Sequence, residues 1–325
     1  MSAGDTAFLL ICGALVFIMI PGLGYFYSGM ANNKSALSML LLCFVSYSIV
    51  LIQWFLFGYS LVFASDGGPF IGSFTLGAFT GMTSTTPEGA LIPDFAYAFY
   101  QSTFAGIAPA LVIGATAERA RLLPKMIFIF LWSTFVYDFI AYWTWGKYGW
   151  LLVNGSLDFA GGSPVHIASG AAALAYSLIV GKRKNQTLEP HSPSNVILGT
   201  LFLWFGWNGF NGGSSGGANG RAAAAIIATN LAAASGSLTW MIIDYVKTGK
   251  FSAISFCSGA IAGLVSITPG SGYVSPISAI IIGVIGSTCC HLASKLKKYL
   301  NFDDTVIFIH LVGCIRSSWC RRNSW

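Results

Sequence analysis

The sequence predicts an all-α, polytopic membrane protein with about nine full transmembrane helices. Of its 325 residues, 55% are hydrophobic and only 9% are charged. Soluble proteins carry roughly 25% charged residues because their surfaces must be hydrated, so lipid must replace water around most of this chain. Nine apolar segments also approach the roughly 20 residues that a helix needs to cross the hydrocarbon core. They lie at about 7–29, 38–63, 97–117, 126–146, 164–181, 195–213, 223–246, 253–271 and 275–294.

The first segment, 7–29, is predicted to remain in the protein as a helix. No basic region precedes it and no small-residue cleavage site follows it, as a removable signal peptide would require. Pro21 and Pro109 fall inside apolar segments, where they predict bends rather than loops because neighbouring helices can satisfy the backbone groups that proline frees. Stretches 170–175 and 222–237 are rich in small residues, so their helices are predicted to pack closely near the centre.

Positively charged residues collect in alternate loops, and this predicts the orientation of the chain. Because basic residues are retained on the cytoplasmic side, the loops rich in them face the cytoplasm and the N-terminus is extracellular. This topology accounts for the net charge of +6, so no nucleic-acid partner is expected. The cytoplasmic loops carry Lys34, Arg119, Arg121, Lys125, Lys182, Arg183, Lys184, Lys247, Lys250, Lys295, Lys297 and Lys298, and the opposite loops carry Lys147 and Arg221.

The seven cysteines lie mostly within apolar segments. Their spacing matches neither a metal site nor the disulfide framework of a small secreted domain. They are therefore predicted to be small core residues, and no metal or cofactor is expected.

Two histidines are the strongest candidates for a function inside the membrane. An ionisable side chain at membrane depth costs at least ~2.5–3.5 kcal/mol, so each one invites a functional hypothesis. His166 opens the fifth segment and His310 falls in what would be the tenth, one five-helix unit later. If that unit is repeated once it is inverted in the membrane, and the two histidines would face each other in a pore near the midplane. A hydrogen-bonded structural role is the alternative.

The other ionisable residues in or near the segments favour simpler explanations. His191 and His291 lie near cytoplasmic ends, where solvation or snorkelling accounts for them. Asp138 lies within the fourth segment and is predicted to be an acid that packs between helices.

Aromatic residues cluster near the predicted outer ends of three segments. Phe104 lies near the start of the third, Trp145 ends the fourth, and Phe210 and Ser214 close the sixth. A cation arriving from outside would meet aromatic faces and a hydroxyl, which attract ammonium-type ions by about 0.5–2 kcal/mol per ring. The alternative is an aromatic belt at the membrane interface.

Ordered motifs give the sequence a close resemblance to the Amt/Mep/Rh ammonium transporter family, and especially to fungal ammonium permeases. The resemblance runs from about Thr6 to Asp304. The motifs are Pro-Gly-Leu-Gly-Tyr-Phe-Tyr-Ser-Gly at 21–29, Gly-Ala-Thr-Ala-Glu-Arg at 114–119, and the segments 158–166, 206–214 and 257–265.

The resemblance implies an eleven-helix fold built from an inverted five-helix repeat, with one pore through each subunit of a trimer. It further implies that Trp145, Phe104 and Ser214 form an outer site that recruits cations. Phe104 and Phe210 would form a stacked gate beneath that site. His166 would be the first pore histidine, and Asp158 the acid that braces the vestibule.

The end of the chain departs from the family pattern. The family expects Asp-Asp-x-Leu-Asp-Val-Phe-x-x-His-Gly, but residues 303–311 contain two residues fewer before His310. On an α-helix, at about 100° per residue, this turns His310 by about 200° from the family position. We therefore predict an incomplete transporter domain at 1–304, holding about nine of the family's eleven helices, and an aberrant tail at 305–325.

The resemblance predicts transport across the plasma membrane of ammonium, recruited as a cation and conducted as ammonia, by a homotrimer or by a heterotrimer with paralogues. The alternative is a non-conducting truncated subunit, or an ammonium sensor, that assembles with intact paralogues. An intramembrane enzyme built on His166, Asp158 and Asp138 is disfavoured. The sequence has no H-E-x-x-H motif and no serine or cysteine obviously paired with a base.

Overall fold

The helices of the protein follow the predicted apolar segments. A computed structural model describes residues 2–83, 92–117, 119–181 and 190–300, with side chains except for Thr116 and 296–300. The regular structure within these ranges is entirely helical, so the all-α prediction is confirmed for them.

Five helical stretches make up the first half. The first is α1 (Ala3–Met30), and the second is α2 (Asn33–Gln53), which continues through a π-helical turn (Trp54–Gly58) into α3 (Tyr59–Phe63). The third is α4 (Asp94–Ile113), and the fourth is α5 (Leu122–Trp132), which continues through a second π-helical turn (Ser133–Tyr137) into α6 (Asp138–Trp145) and is followed by the short α7 (Trp150–Val153). The fifth is a π-helical segment (Gly162–Ile167) that leads into α8 (Ala168–Val180).

Four helices follow in the second half of the described chain. They are α9 (Pro193–Gly213), α10 (Gly220–Thr248), α11 (Ala253–Ile267) and α12 (Pro276–Leu300). α1 packs along α9, while α10 packs against both α11 and α12. Pro21 and Pro109 lie inside α1 and α4, in agreement with the prediction that neither starts a loop.

Seven helical stretches in the described ranges are long and apolar enough to cross a membrane. α9 and α11 occupy the other two predicted positions. α11 has 15 residues and ends at Ile267, short of the predicted residue 271. The chain turns there because Pro269 has no N–H to continue the helix, and its carbonyl instead accepts a bond from the Phe159 N–H at 2.9 Å.

Small residues let α10 and α11 approach closely, as predicted for the stretch 222–237. A Cβ atom added at Gly263 would lie 2.1 Å from the carbonyl oxygen of Ala232, and one at Gly259 would lie 2.4 Å from that of Gly236. Without side chains between them the backbones pack directly, which is how helices gain van der Waals contact in lipid.

Replacing Gly263 with valine is expected to lower stability by about 1–3 kcal/mol, because the new side chain must push α10 and α11 apart. The measurement is the thermal melting temperature of the purified protein in detergent. Gly220→Ala is the matched control, since a Cβ atom there meets nothing within 4 Å. If both variants melt like the parent, this contact does not stabilise the fold.

Asp138 packs between helices, as predicted. Its Oδ2 accepts a hydrogen bond of 2.6 Å from Nε2 of Gln53, and both residues are buried. Gln53 directly precedes one π-helical turn and Asp138 directly follows the other. The pair therefore joins the second and fourth predicted spans at the level where each helix widens.

His291 differs from the solvated residue that we expected. It is 3% exposed, and its Nε2 lies 2.9 Å from Oδ1 of Asp244. The edge of Trp240 packs against its ring at a centroid distance of 5.2 Å. The interpretation was wrong because this carboxylate, on the neighbouring α10, replaces water as the partner. His191, by contrast, is exposed, with its Nδ1 3.0 Å from the carbonyl oxygen of Ala31.

Candidate functional site

Two phenylalanine rings meet face to face where α4 and α9 approach each other. The centroids of Phe104 and Phe210 are 4.0 Å apart and the ring planes differ by 26°. Both side chains are almost fully buried, at 1% and 0% exposure. We call the end of the bundle where α4 begins and α6 and α9 finish the vestibule end. The stacked rings lie beneath its surface.

Trp145 and Ser214 flank this pair on the vestibule end. The Trp145 ring meets Phe104 edge to face, with centroids 6.2 Å apart. Tyr100 also packs against Phe104, with ring centroids 4.9 Å apart, and its hydroxyl lies 3.2 Å from Oγ of Ser214. Trp145 and Ser214 are only partly buried. The predicted residues therefore form one aromatic cluster with a hydroxyl beside it, accessible from the vestibule end.

Hydrogen bonds to the backbone fix the cluster in place. The Tyr100 hydroxyl donates to the carbonyl oxygen of Phe210 at 2.7 Å, and Oγ of Ser214 donates to the same oxygen at 2.9 Å. Nε1 of Trp145 donates to the carbonyl oxygen of Asp158 at 3.2 Å. The Tyr100 and Trp145 rings thus have defined orientations before any substrate arrives.

The Asp158 carboxylate holds the loop that leads into the fifth span. Its Oδ1 accepts bonds from the N–H groups of Gly161 and Gly162 at 2.9 and 2.7 Å, and its Oδ2 accepts one from Ser163 at 2.6 Å. Gly161 has φ of +98°, a conformation that side-chain-bearing residues rarely adopt. The carboxylate satisfies the first N–H groups of the π-helical segment, as an N-cap does for an α-helix.

Two opposing effects act on the Asp158 carboxyl. Burial raises its pKa above the ordinary value, because the charged form loses hydration, while the three N–H donors and the Ser163 side chain act in the opposite direction. An acid held by three backbone donors is a fixed part of the loop. The carboxylate is therefore suited to stabilising the loop rather than to changing its contacts during function.

His166 lies deeper than the phenylalanine pair, on the π-helical segment that Asp158 caps. Its ring stacks on Trp207 with centroids 5.3 Å apart and planes 15° apart, and on Phe210 at 5.9 Å. The side chain is 1% exposed. Nε1 of Trp207 donates to Oγ1 of Thr268 at 2.9 Å, so the indole that supports the imidazole is itself held by the turn after α11.

A narrow cavity continues from Phe210 past His166. Its volume is about 10 Å³, which is roughly enough for one water molecule. Apart from His166, the side chains that line the cavity are apolar or aromatic and include no carboxylate. They are Met19, Leu23, Phe26, Tyr27, Ile107, Leu111, Val165, Leu203, Trp207, Phe210 and Ile261.

Sequence reasoning brought most of this site together but missed three contributors. The structure brings Trp145, Phe104, Phe210 and His166 into successive ring contacts from the vestibule end into the bundle, with Ser214 beside Tyr100 and Asp158 beside Trp145. His310 lies outside the described residues. Tyr100, Trp207 and Thr268 were not assigned roles. Tyr100 is four residues before Phe104 and so shares its helix face, a signal that was available. Within the described ranges, no three His, Cys, Asp or Glu side chains converge on a metal site.

Comparison with known proteins gives one consistent family. The model of the Ammonium Transporter Family matches residues 7–320. Ammonium transporter 1 of Schizosaccharomyces pombe is 52% identical over 307 residues, which are 93% of this chain and 62% of that protein. Ammonium transporter MEP2 of Saccharomyces cerevisiae is 47% identical over 320 residues, which are 94% of this chain and 64% of that protein.

A solved structure shares the fold. The crystal structure of Candida albicans Mep2 matches with a TM-score of 0.91 and 45% identity, over 97% of this chain and 71% of that one. The predicted ammonium-transporter-like fold is thereby confirmed. The chain spans less than two thirds of the length of the two curated relatives above. With its helices, its ordered motifs and these matches, the chain is a multi-pass membrane protein of the Ammonium Transporter Family.

Proposed function

We propose that this protein transports ammonium across the membrane, taking it up as a cation at the vestibule end and conducting it as ammonia past His166. The observation that carries the proposal is the apolar cavity that lies beneath the stacked rings of Phe104 and Phe210 and is lined by His166. The relatives named above are called ammonium transporters, and the family match supports the same substrate here.

The apolar passage selects by charge. Ammonium and potassium are similar in size, so a pore that admits bare cations discriminates poorly between them. Moving an isolated charge into a medium of low dielectric constant costs tens of kcal/mol by Born estimates, whereas a neutral amine enters cheaply. Potassium has no proton to lose. A passage without carboxylates therefore favours ammonia over every alkali cation.

Each predicted residue has a role in this scheme. Trp145, Phe104 and Ser214 bind ammonium, the rings through their π faces and the hydroxyl as an acceptor. When the phenylalanine rings rotate, the ion passes between them. One N–H bond then breaks, its electron pair stays on nitrogen, its proton moves to the imidazole of His166, and neutral ammonia continues along the passage. Phe210 is the inner half of this gate. His166 suits a proton relay beside the passage, since imidazole titrates near neutral pH.

Topology and assembly complete the proposal. The excess of basic residues in alternate loops supports an extracellular N-terminus in the plasma membrane, so the vestibule end faces outward. We propose assembly as a homotrimer, or as a heterotrimer with paralogues. The domain boundary at residue 304 and the part played by His310 stay predictions.

Uptake of radiolabelled methylammonium by cells that lack their own ammonium transporters tests the function. Trp145→Ala is expected to raise the concentration for half-maximal uptake by about two- to thirtyfold, since one ring contributes about 0.5–2 kcal/mol to cation binding. Trp143→Ala is the matched control. That residue lies on the same helix, but its indole bonds to the carbonyl oxygen of Phe70, away from Phe104.

The two parts of the proposal fail separately. No uptake by the parent chain, although it reaches the membrane, would contradict transport itself. Uptake with equal half-saturation in the parent and in Trp145→Ala would leave transport standing and remove Trp145 from the cation site.

A further inference from the structure

A second cavity lies between α9, α10 and α11, at the end of the bundle opposite the vestibule. Its volume is about 420 Å³, and none of the residues that line it also lines the pore cavity. Leu201 and Phe251 on its wall are 57% and 67% exposed, so the cavity is a groove that opens on the outside of the bundle. Hydroxyls of Thr200 and Ser252 are the few polar groups of an otherwise apolar and aromatic lining.

An ordered turn carries positive charge at the mouth of this groove. α10 ends at Thr248 and is capped by Gly249, which has φ of +69°. The Lys250 N–H then bonds to Oγ1 of Thr248 at 3.3 Å. Phe251 follows directly and stacks on Tyr245, with ring centroids 4.3 Å apart and planes 12° apart. Lys250 is therefore held beside the groove.

Among the described residues, lysines outnumber carboxylates at this end of the bundle. The Lys247 and Lys295 side chains lie close enough to interact with each other. Asp244 is the one carboxylate that the described residues place at this end, and it is already engaged. Its Oδ2 accepts a bond of 2.5 Å from Oγ of Ser255, while its Oδ1 lies 2.9 Å from Nε2 of His291.

We propose that this groove binds an anionic phospholipid of the cytoplasmic leaflet, with an acyl chain against the apolar wall and the headgroup beside Lys247 and Lys250. By the distribution of basic residues, this end faces the cytoplasm, where anionic lipids are concentrated. An apolar groove open to a bilayer is filled by hydrocarbon, because water gains nothing from an apolar wall.

Charge complementarity distinguishes this lipid from the other possible occupants. A zwitterionic lipid would bring its own cation to a mouth that already holds lysines. A second copy of the chain would fill the groove with apolar side chains. From the described ranges it would bring no unengaged carboxylate to this end of the bundle. A phospholipid with a net negative charge brings hydrocarbon to the apolar groove and a negative charge to the lysines at its mouth.

The test measures binding of fluorescent phosphatidylserine and phosphatidylcholine to the purified chain in detergent. Phosphatidylserine is expected to bind more tightly. Lys250→Ala and Lys247→Ala should each weaken its binding by about fivefold, since a lysine near the surface contributes about 1 kcal/mol. Ala253→Trp, which places a ring in the groove, should weaken binding of both lipids. Lys34→Ala is the matched control, because Lys34 lies at the start of α2 and is exposed like Lys247 and Lys250.

Three results would overturn the proposal. Equal affinity for the two lipids removes the role of charge. Phosphatidylserine affinity unchanged in both lysine variants and in Ala253→Trp places the lipid elsewhere. A change of oligomeric state in Ala253→Trp with unchanged lipid affinity assigns the groove to a second copy. Melting temperatures of all variants, measured alongside, identify any loss of binding that comes from misfolding.

Discussion

Replacing His166 with alanine is expected to lower ammonium flux by about a hundredfold and to relax the selectivity for ammonium over potassium. A positioned group that transfers protons typically contributes 10²–10⁴-fold, and the imidazole is the one titratable side chain that lines the described cavity apart from the Tyr27 phenol. Its removal also enlarges a passage that now has room for about one water molecule, so hydrated cations would find less resistance.

Methylammonium uptake and potassium currents in the same cells measure the two effects. His191→Ala is the control, because that histidine is exposed at the opposite end of the bundle and contacts the Ala31 carbonyl. If His166→Ala carries the same flux with the same selectivity as the parent, the imidazole does not take part in conduction.

Replacing Asp158 with alanine is expected to destabilise the protein by about 3–5 kcal/mol and to abolish transport. The carboxylate is the shared acceptor for the N–H groups of Gly161, Gly162 and Ser163, and each buried donor left without a partner costs about 1–3 kcal/mol. The loop would then lose the conformation that aims His166 and Trp145. Thermal melting in detergent and methylammonium uptake measure the two losses.

Asp158→Asn provides the graded comparison. Its amide oxygen can still accept bonds from two of the N–H groups, but its NH₂ group would face the third donor. Stability between that of the parent and that of the alanine variant is expected. If Asp158→Ala has the same melting temperature as the parent, the loop is held by other contacts and the bracing role is wrong.

The fold was largely predictable because its cause is the bilayer itself. Hydropathy located the nine long helical stretches in the described ranges, since a span must be long and apolar whatever its neighbours are. The end of α11 was missed by several residues, because apolar Ile267 is followed by a Thr-Pro-Gly turn that hydropathy does not detect. The π-helical turns that begin at Trp54 and Ser133 were also missed. They depend on packing between helices rather than on local composition.

Site residues could be predicted when their type and position in a segment were enough to single them out. They could not be predicted when their role depends on contacts with residues distant in sequence. A histidine in an apolar segment is conspicuous, so His166 was found from its position. The supports of that histidine were not, because the bond from Trp207 to Thr268 joins residues that are distant in sequence. His291 shows the same limit in reverse. Its burial follows from its contact with Asp244 on a neighbouring helix, and no local sequence pattern predicts that contact.

The loop from Asp158 to Ser163 has a mechanical consequence. It is anchored to the turn after α11 by the bond from Phe159 to Pro269, and the same turn anchors Trp207 beneath the imidazole. The bond from Phe159 to Pro269 thus joins the two halves of the chain at the level of the proposed passage. Rocking of one half against the other would have to break that bond in every cycle. Rotation of a phenylalanine ring leaves it intact, so we expect the helices to stay in place while only the phenylalanine side chains move.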